Sequence, residues 1–267
     1  MGSILEGGCR VAHPREVKPL ARGNLHVWPL FGRANGTVHV SLRLLEFGPG
    51  SSPSFGTPRC DEVWYVLRGS GTLLLNGRRH SIAAEAGVYI APGSLASVHN
   101  PTADPLAVMS SRCPDPEGED LLGSTDGAPA ATPQESKIRA APVPVVRLAD
   151  REAVPTGDRW YRVLVDASVG STQVTQFVGS IPPGRAPDHF HDYEEVLCIL
   201  EGQGTMWAGS SHAAIGPRSC VYLPKGQRHC VENTGPGALQ LLGVFYPAGS
   251  PGARTADDAP AGGPRLS

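Results

Sequence analysis

The second half of the chain carries four side chains whose types and spacing suit a metal ion. His189, His191 and Glu195 stand in the run Asp188-His189-Phe190-His191-Asp192-Tyr193-Glu194-Glu195, and His229 follows in Pro224-Lys225-Gly226-Gln227-Arg228-His229. On an extended strand residues two apart share a face, so His189, His191 and Glu195 point the same way. His229, delivered by a second turn, completes three imidazoles and one carboxylate. Such a set suits Fe(II), Mn(II), Ni(II), Cu(II) or Zn(II), and leaves positions open on a six-coordinate ion for substrate, water or dioxygen. A lone histidine carries no such weight. His13, His26, His39, His80, His99 and His212 are therefore read as ordinary polar or turn residues.

What must position the four is a β-rich scaffold. The 267 residues include 33 glycines and 26 prolines, a density that breaks long helices. Between them lie short runs of strand-forming residues: Val38 to Phe47, Val63 to Leu67, Thr72 to Leu75, Val88 to Ala91 and Leu106 to Met109. A second series follows: Tyr161 to Val165, Gln173 to Val178, Val196 to Leu200, Thr205 to Trp207, Cys220 to Leu223 and Leu239 to Phe245. Strands at this spacing build a sandwich or barrel. The two series are copies, because Glu62 and Glu195, Gly69 and Gly202, Gly71 and Gly204, Gly93 and Gly226, and Asn100 and Asn233 are all 133 positions apart. The expected organisation is an N-terminal barrel at 11–112, a Pro-rich, acidic linker at 113–142, a C-terminal barrel at 143–248 and a disordered tail at 249–267. Asn35-Gly36 is expected to form a hairpin turn.

These residues resemble the cupin family, and the duplication resembles its two-domain members, the bicupins. The match is His189-x-His191-x3-Glu195-x6-Gly202 and Pro224-x-Gly226-x2-His229-x3-Asn233, against family patterns G-x5-H-x-H-x3,4-E-x6-G and G-x5-P-x-G-x2-H-x3-N. Gly184 stands one residue too near His189, and Arg218 replaces the glycine that opens the second pattern, departures that touch turns rather than ligands. The resemblance implies an all-β fold of two tandem jelly-roll-like β-barrels, with His189, His191, Glu195 and His229 as ligands of one divalent transition metal. In the first copy Gly56, Pro58 and Ala96 stand where the histidines should be, and only Glu62 survives. That barrel is expected to be metal-free. A sharper alternative is a second ligand pocket there, lined by Cys60, Glu62, Trp64 and Tyr65.

Cupins include dioxygenases, decarboxylases, isomerases, epimerases and pure binding modules, so the fold leaves the reaction open. The three-histidine, one-glutamate set resembles that of cupin dioxygenases and of manganese decarboxylases. The leading expectation is a non-haem Fe(II) dioxygenase or oxygenase acting on a small oxygen-bearing organic substrate, with Mn(II), Ni(II) or Zn(II) as other metals. Candidate catalytic residues are Glu195, able to detach as a base, Tyr193 and Glu194 as proton carriers, and Arg228 as the partner of a substrate carboxylate. Tyr222, Trp207, Gln176 and Gln240 are candidates for the surrounding shell. The alternatives are a redox-neutral isomerase, epimerase or decarboxylase of a small acid, and a non-catalytic small-molecule sensor. A formal charge of -2 offers no electrostatic footprint for nucleic acid or an anionic membrane. Six cysteines without framework spacing fit a reduced, cytoplasmic protein, and the resemblance implies a homodimer.

Overall fold

The strand Asp61–Arg68 is buried along most of its length, and its two faces serve different cores. Trp64 and Val66 point into a barrel, whereas Val63 and Tyr65 point out of it, against the second half of the chain. Glu194–Glu201 repeats the arrangement, with Leu197 and Ile199 inside its barrel and Val196 and Cys198 outside. A run apolar on both faces is the signature of a strand sandwiched between two packed layers. This computed structural model describes residues 2–57, 59–116 and 143–252. Among them there is no α-helix, only short 3-10 turns, and no helix is long and apolar enough to cross a membrane. Pro58, most of the expected linker and the end of the expected tail lie outside the described residues.

In the N-terminal barrel a seven-stranded sheet faces a five-stranded one, and in the C-terminal barrel an eight-stranded sheet faces a four-stranded one. The two larger sheets stand back to back. Three apolar cores result, one inside each barrel and one between them. The fold is thus the expected all-β pair of jelly-roll barrels.

Each half opens with a strand that crosses to the other barrel. Arg10–Ala12 pairs with Cys220–Leu223, Val11 lying opposite Val221; Val145–Arg147 pairs with Ala86–Ile90, Val145 lying opposite Val88. The sheets thus cross the expected division at 11–112 and 143–248 reciprocally. Paired polar contacts mark the seam. Tyr89 donates to Asp61 at 2.5 Å and Tyr222 to Glu194 at 2.5 Å. Each carboxylate also accepts from the opposite half: Asp61 from Gln173 Nε2 at 3.3 Å, and Glu194 from the backbone N–H of Val38 at 3.2 Å and His39 at 2.7 Å.

Local departures have local causes. Asn35-Gly36 closes the 3-10 turn Arg33–Asn35 instead of a two-residue hairpin, because the Asn35 side chain bonds back to Gly32 and Leu30. The strand Leu25–Phe31 escapes the sequence pattern through Pro29, where its register with Leu42–Phe47 shifts. Arg218, in place of the motif glycine, still takes φ 67°, as its counterpart Glu85 takes 66°. The turn survives, with strain a glycine would relieve.

Candidate metal centre

Two strand ends bring the four side chains together. His189 and His229 exchange backbone hydrogen bonds, His189 N–H to the His229 carbonyl at 3.0 Å and the reverse at 2.9 Å. His191 follows in the loop, its carbonyl accepting from Gly226 N–H at 2.8 Å, and Glu195 lies near the start of Glu194–Glu201. Asn233 fixes the far end of His229–Asn233, donating to the carbonyls of Ile181 at 2.9 Å and Gly237 at 2.8 Å. The imidazole ligand atoms of His189, His191 and His229 lie within 4.8 Å of one another. Glu195 Oε2 stands 3.3 Å from His191 Nε2 and 3.7 Å from His229 Nε2.

The rings are held with one nitrogen inward. His189 Nδ1 meets the Pro187 carbonyl at 3.1 Å and His229 Nδ1 the Gln227 carbonyl at 2.9 Å, so in each the proton sits on Nδ1 and the Nε2 lone pair is left for the centre. Burial, reinforced by His189, pushes the His229 pKa down to about 4; burial lowers that of His189 as well, so both rings are neutral near pH 7. Burial alone would raise the Glu195 pKa, but its histidine neighbours, His191 foremost, outweigh it and hold the carboxyl below its ordinary value. The set therefore places the Glu195 carboxylate beside the neutral His189 and His229 rings. Glu195 Oε2 is fully buried and receives no hydrogen bond. A buried carboxylate oxygen without a donor is costly, and a divalent transition ion is the group these ligands fit.

The N-terminal barrel shows the other solution. Glu62 faces Arg112 across the sheet as Glu195 faces Phe245, and Arg43 faces Ser110 as Phe177 faces Gly243. Two phenylalanines are thus replaced by two arginines. Glu62 receives Arg43 at 2.7 Å, Arg112 at 3.0 Å, Trp64 Nε1 at 2.6 Å and the Ser110 hydroxyl at 2.7 Å, all buried. Burial would raise its pKa, yet Arg112 and Arg43 hold it down at about 2. The barrel supplies its own cations. Of the residues named for an alternative pocket, Glu62 is bonded and Trp64 packed inside the barrel, Tyr65 faces the seam, and burial pushes the Cys60 thiol up to about 12.

A cavity of about 160 Å³ opens onto the four C-terminal residues. Its wall is mostly apolar, with Trp160, Tyr161, Phe177, Leu197, Leu241 and Phe245, and its polar members beyond the four include Arg159, Ser180 and Thr156. Of the residues expected to act here, Glu195 lines the cavity and Tyr193, Glu194 and Arg228 do not. Glu194 points the opposite way from Glu195, into the seam. Tyr193 stacks on His191 at 4.9 Å between ring centres and gives its hydroxyl to the Ser250 carbonyl at 2.7 Å. Arg228 is exposed over the Phe190 ring at 6.0 Å. Trp207, Tyr222, Gln176 and Gln240 also lie outside the lining. Arg159 and Trp160 were missed because the strand Arg159–Val165 begins two residues before its recognisable apolar run.

A family model described as "Cupin domain" matches residues 177–245. Auxin-binding protein 1 of Arabidopsis thaliana is 31% identical over an alignment covering 28% of this chain and 43% of the relative; the chain spans less than half of that protein. Protein Ylba from E. coli superposes with a TM-score of 0.70 at 12% identity, covering 92% of this chain and 93% of that one. A variant of oxalate decarboxylase from Bacillus subtilis superposes with a TM-score of 0.70 at 13% identity, covering 88% and 76%. At these identities the solved structures attest the fold. The C-terminal half thus matches the cupin domain, and the whole described chain has the two-barrel fold of these solved structures.

Proposed function

We propose that this chain is a metal-dependent oxygenase that takes a small oxygen-bearing organic substrate into its C-terminal barrel. The observation that carries the proposal is the contrast between two equivalent glutamates. Glu62 is neutralised by two arginines, whereas Glu195 keeps a buried oxygen without a donor, ringed by inward-turned imidazoles. His189, His191, His229 and Glu195 would hold one divalent ion, Fe(II) in this reading, which when bound supplies dioxygen activation and polarisation of the substrate. The chain itself orients the rings through the Pro187 and Gln227 carbonyls and excludes water with Phe177, Leu197, Leu241 and Phe245. In the redox-neutral alternative Glu194 or Tyr193 would carry the proton. Glu194 and Tyr193, which could have served, are engaged outside the cavity, and among the described lining residues Glu195 is the one carboxyl. This supports the oxygenase reading.

Elemental mass spectrometry of the purified protein tests the centre: about one iron per chain is expected, and little in His229→Ala. Oxygen-electrode screening against small oxygen-bearing acids tests the reaction. Turnover without oxygen uptake would replace the oxygenase by an isomerase, epimerase or decarboxylase. Ligand binding with no product would leave a sensor.

A further inference from the structure

We propose that Arg159 anchors a substrate carboxylate, which makes the substrate of the C-terminal barrel a small oxygen-bearing carboxylic acid. The inference rests on the reading of this cavity as a metal-dependent site and narrows what the site takes. Arg159, Trp160 and Tyr161, at the start of Arg159–Val165, all line the cavity. Arg162 turns away, lying over the Trp160 ring at 5.4 Å and donating to the Leu148 carbonyl at 3.1 Å. Among the described lining residues Arg159 is the only arginine or lysine. Its Nε is buried with no hydrogen-bond partner, and its acidic neighbour Asp158 stands 3.6 Å away with its side chain 71% exposed to solvent. The guanidinium stands in a wall of Trp160, Phe177, Leu241 and Phe245, paired only at 3.6 Å through Nε with the exposed Asp158, and its planar fork matches a carboxylate.

The neighbouring arginines do not compete for this role. Arg185 lies over Trp207 at 4.4 Å and meets Asp188 at 3.5 Å, and Arg228 sits on the surface. Charge agrees with the assignment: Arg159 places a fixed positive charge in a mostly apolar wall. The cavity therefore favours an anion. Its volume of about 160 Å³ accommodates a small acid.

Pyruvate and its uncharged amide, pyruvamide, test the proposal by isothermal titration of the parent, Arg159→Gln and Arg159→Lys. Each protein is titrated as purified and after Zn(II) loading, with metal content and melting temperature measured on the same samples. The parent is expected to prefer pyruvate, and Arg159→Gln to bind it ~10- to 100-fold more weakly with pyruvamide binding unchanged. Arg159→Lys should keep part of the preference, and metal content and melting temperature should not move. A parent that binds neither probe or binds both equally overturns the assignment, as does an Arg159→Gln variant that keeps the preference. A parent that takes up no metal yet shows the Arg159-dependent preference overturns the metal-dependent reading and leaves the carboxylate site standing.

Discussion

Replacing Glu62 with glutamine measures what the self-supplied cations of the N-terminal barrel require. The Glu62 side chain is fully buried, and its oxygens receive Arg43, Arg112, Trp64 and Ser110. Glutamine keeps the shape and one acceptor, but leaves two buried guanidiniums without their shared counter-charge. Breaking a buried ion pair from one side costs about 3–5 kcal/mol. The protonation equilibrium gives an independent figure. Relative to its ordinary value of 4.5, the Glu62 pKa lies at about 2, and a difference of that size corresponds to about 3 kcal/mol. Because the folded value is the lower one, this stabilisation is present in full above pH 4.5 and is lost as pH falls through 2. Against a total stability of about 5–15 kcal/mol, either figure is a large fraction.

Urea unfolding at pH 7 and again across pH 5 to 2 reads both quantities. Glu62→Gln should lose about 3–5 kcal/mol at pH 7, and should lack the part of the acid dependence that the parent shows below pH 4.5. Replacing the whole group, Glu62→Met with Arg43→Leu and Arg112→Leu, should recover most of the loss, since apolar side chains of similar volume can replace a buried ionic cluster. A Glu62→Gln variant within 1 kcal/mol of the parent would refute the reasoning, because the arginines would then not depend on the carboxylate.

Three further outcomes are expected. Glu194→Ala should lower stability by about 2–3 kcal/mol, since it strands the Tyr222 hydroxyl and the Val38 and His39 amides, while metal content by elemental analysis stays at the parent level. Arg228→Met should leave substrate affinity unchanged in titration calorimetry, because Arg228 is exposed and outside the cavity wall. Removing residues 2–12 should lower the thermal midpoint sharply and promote aggregation seen by light scattering. That deletion uncovers the edge of Cys220–Leu223 and the core against which Leu5, Cys9 and Val11 pack, at about 1.5–3 kcal/mol for each of Leu5 and Val11.

The ligand set was legible in the sequence through its residue types and motif spacing, although residues 190–193 form a loop rather than the expected continuous strand. Alternation within Glu194–Glu201 puts Glu194 on the face opposite Glu195, where it binds the other barrel, so its chemistry could not be read from its nearness to Glu195 alone. Duplication was legible through its turns and motif positions. The strand exchange was not, because Arg10–Ala12 and Val145–Arg147 are too short to show a pattern, and their partners are distant in sequence. Arg43 and Arg112 escaped for a related reason. Each sits in an apolar strand as an isolated charge, and only the register shows that both aim at Glu62.

That register explains why the glutamate of one barrel faces a cavity while that of the other is enclosed by side chains. In the C-terminal barrel Gly243 leaves room for the Phe177 ring, which lies 4.9 Å from Phe245; a side chain at Gly243 would run into it. The two rings form an apolar wall and cannot bond to Glu195. In the N-terminal barrel Ser110 stands at the place of Gly243, and its hydroxyl bonds both Arg43 and Glu62. Arginine at the two phenylalanine positions fills the space and neutralises the carboxylate in the same stroke. Loss of the three histidines from that barrel would have left Glu62 buried and unpaired, which the guanidiniums prevent. The exchanged strands give the N-terminal barrel a continuing part in the other: Val11 closes the sheet that carries Glu195, so the barrel without ligands still helps hold the one that has them.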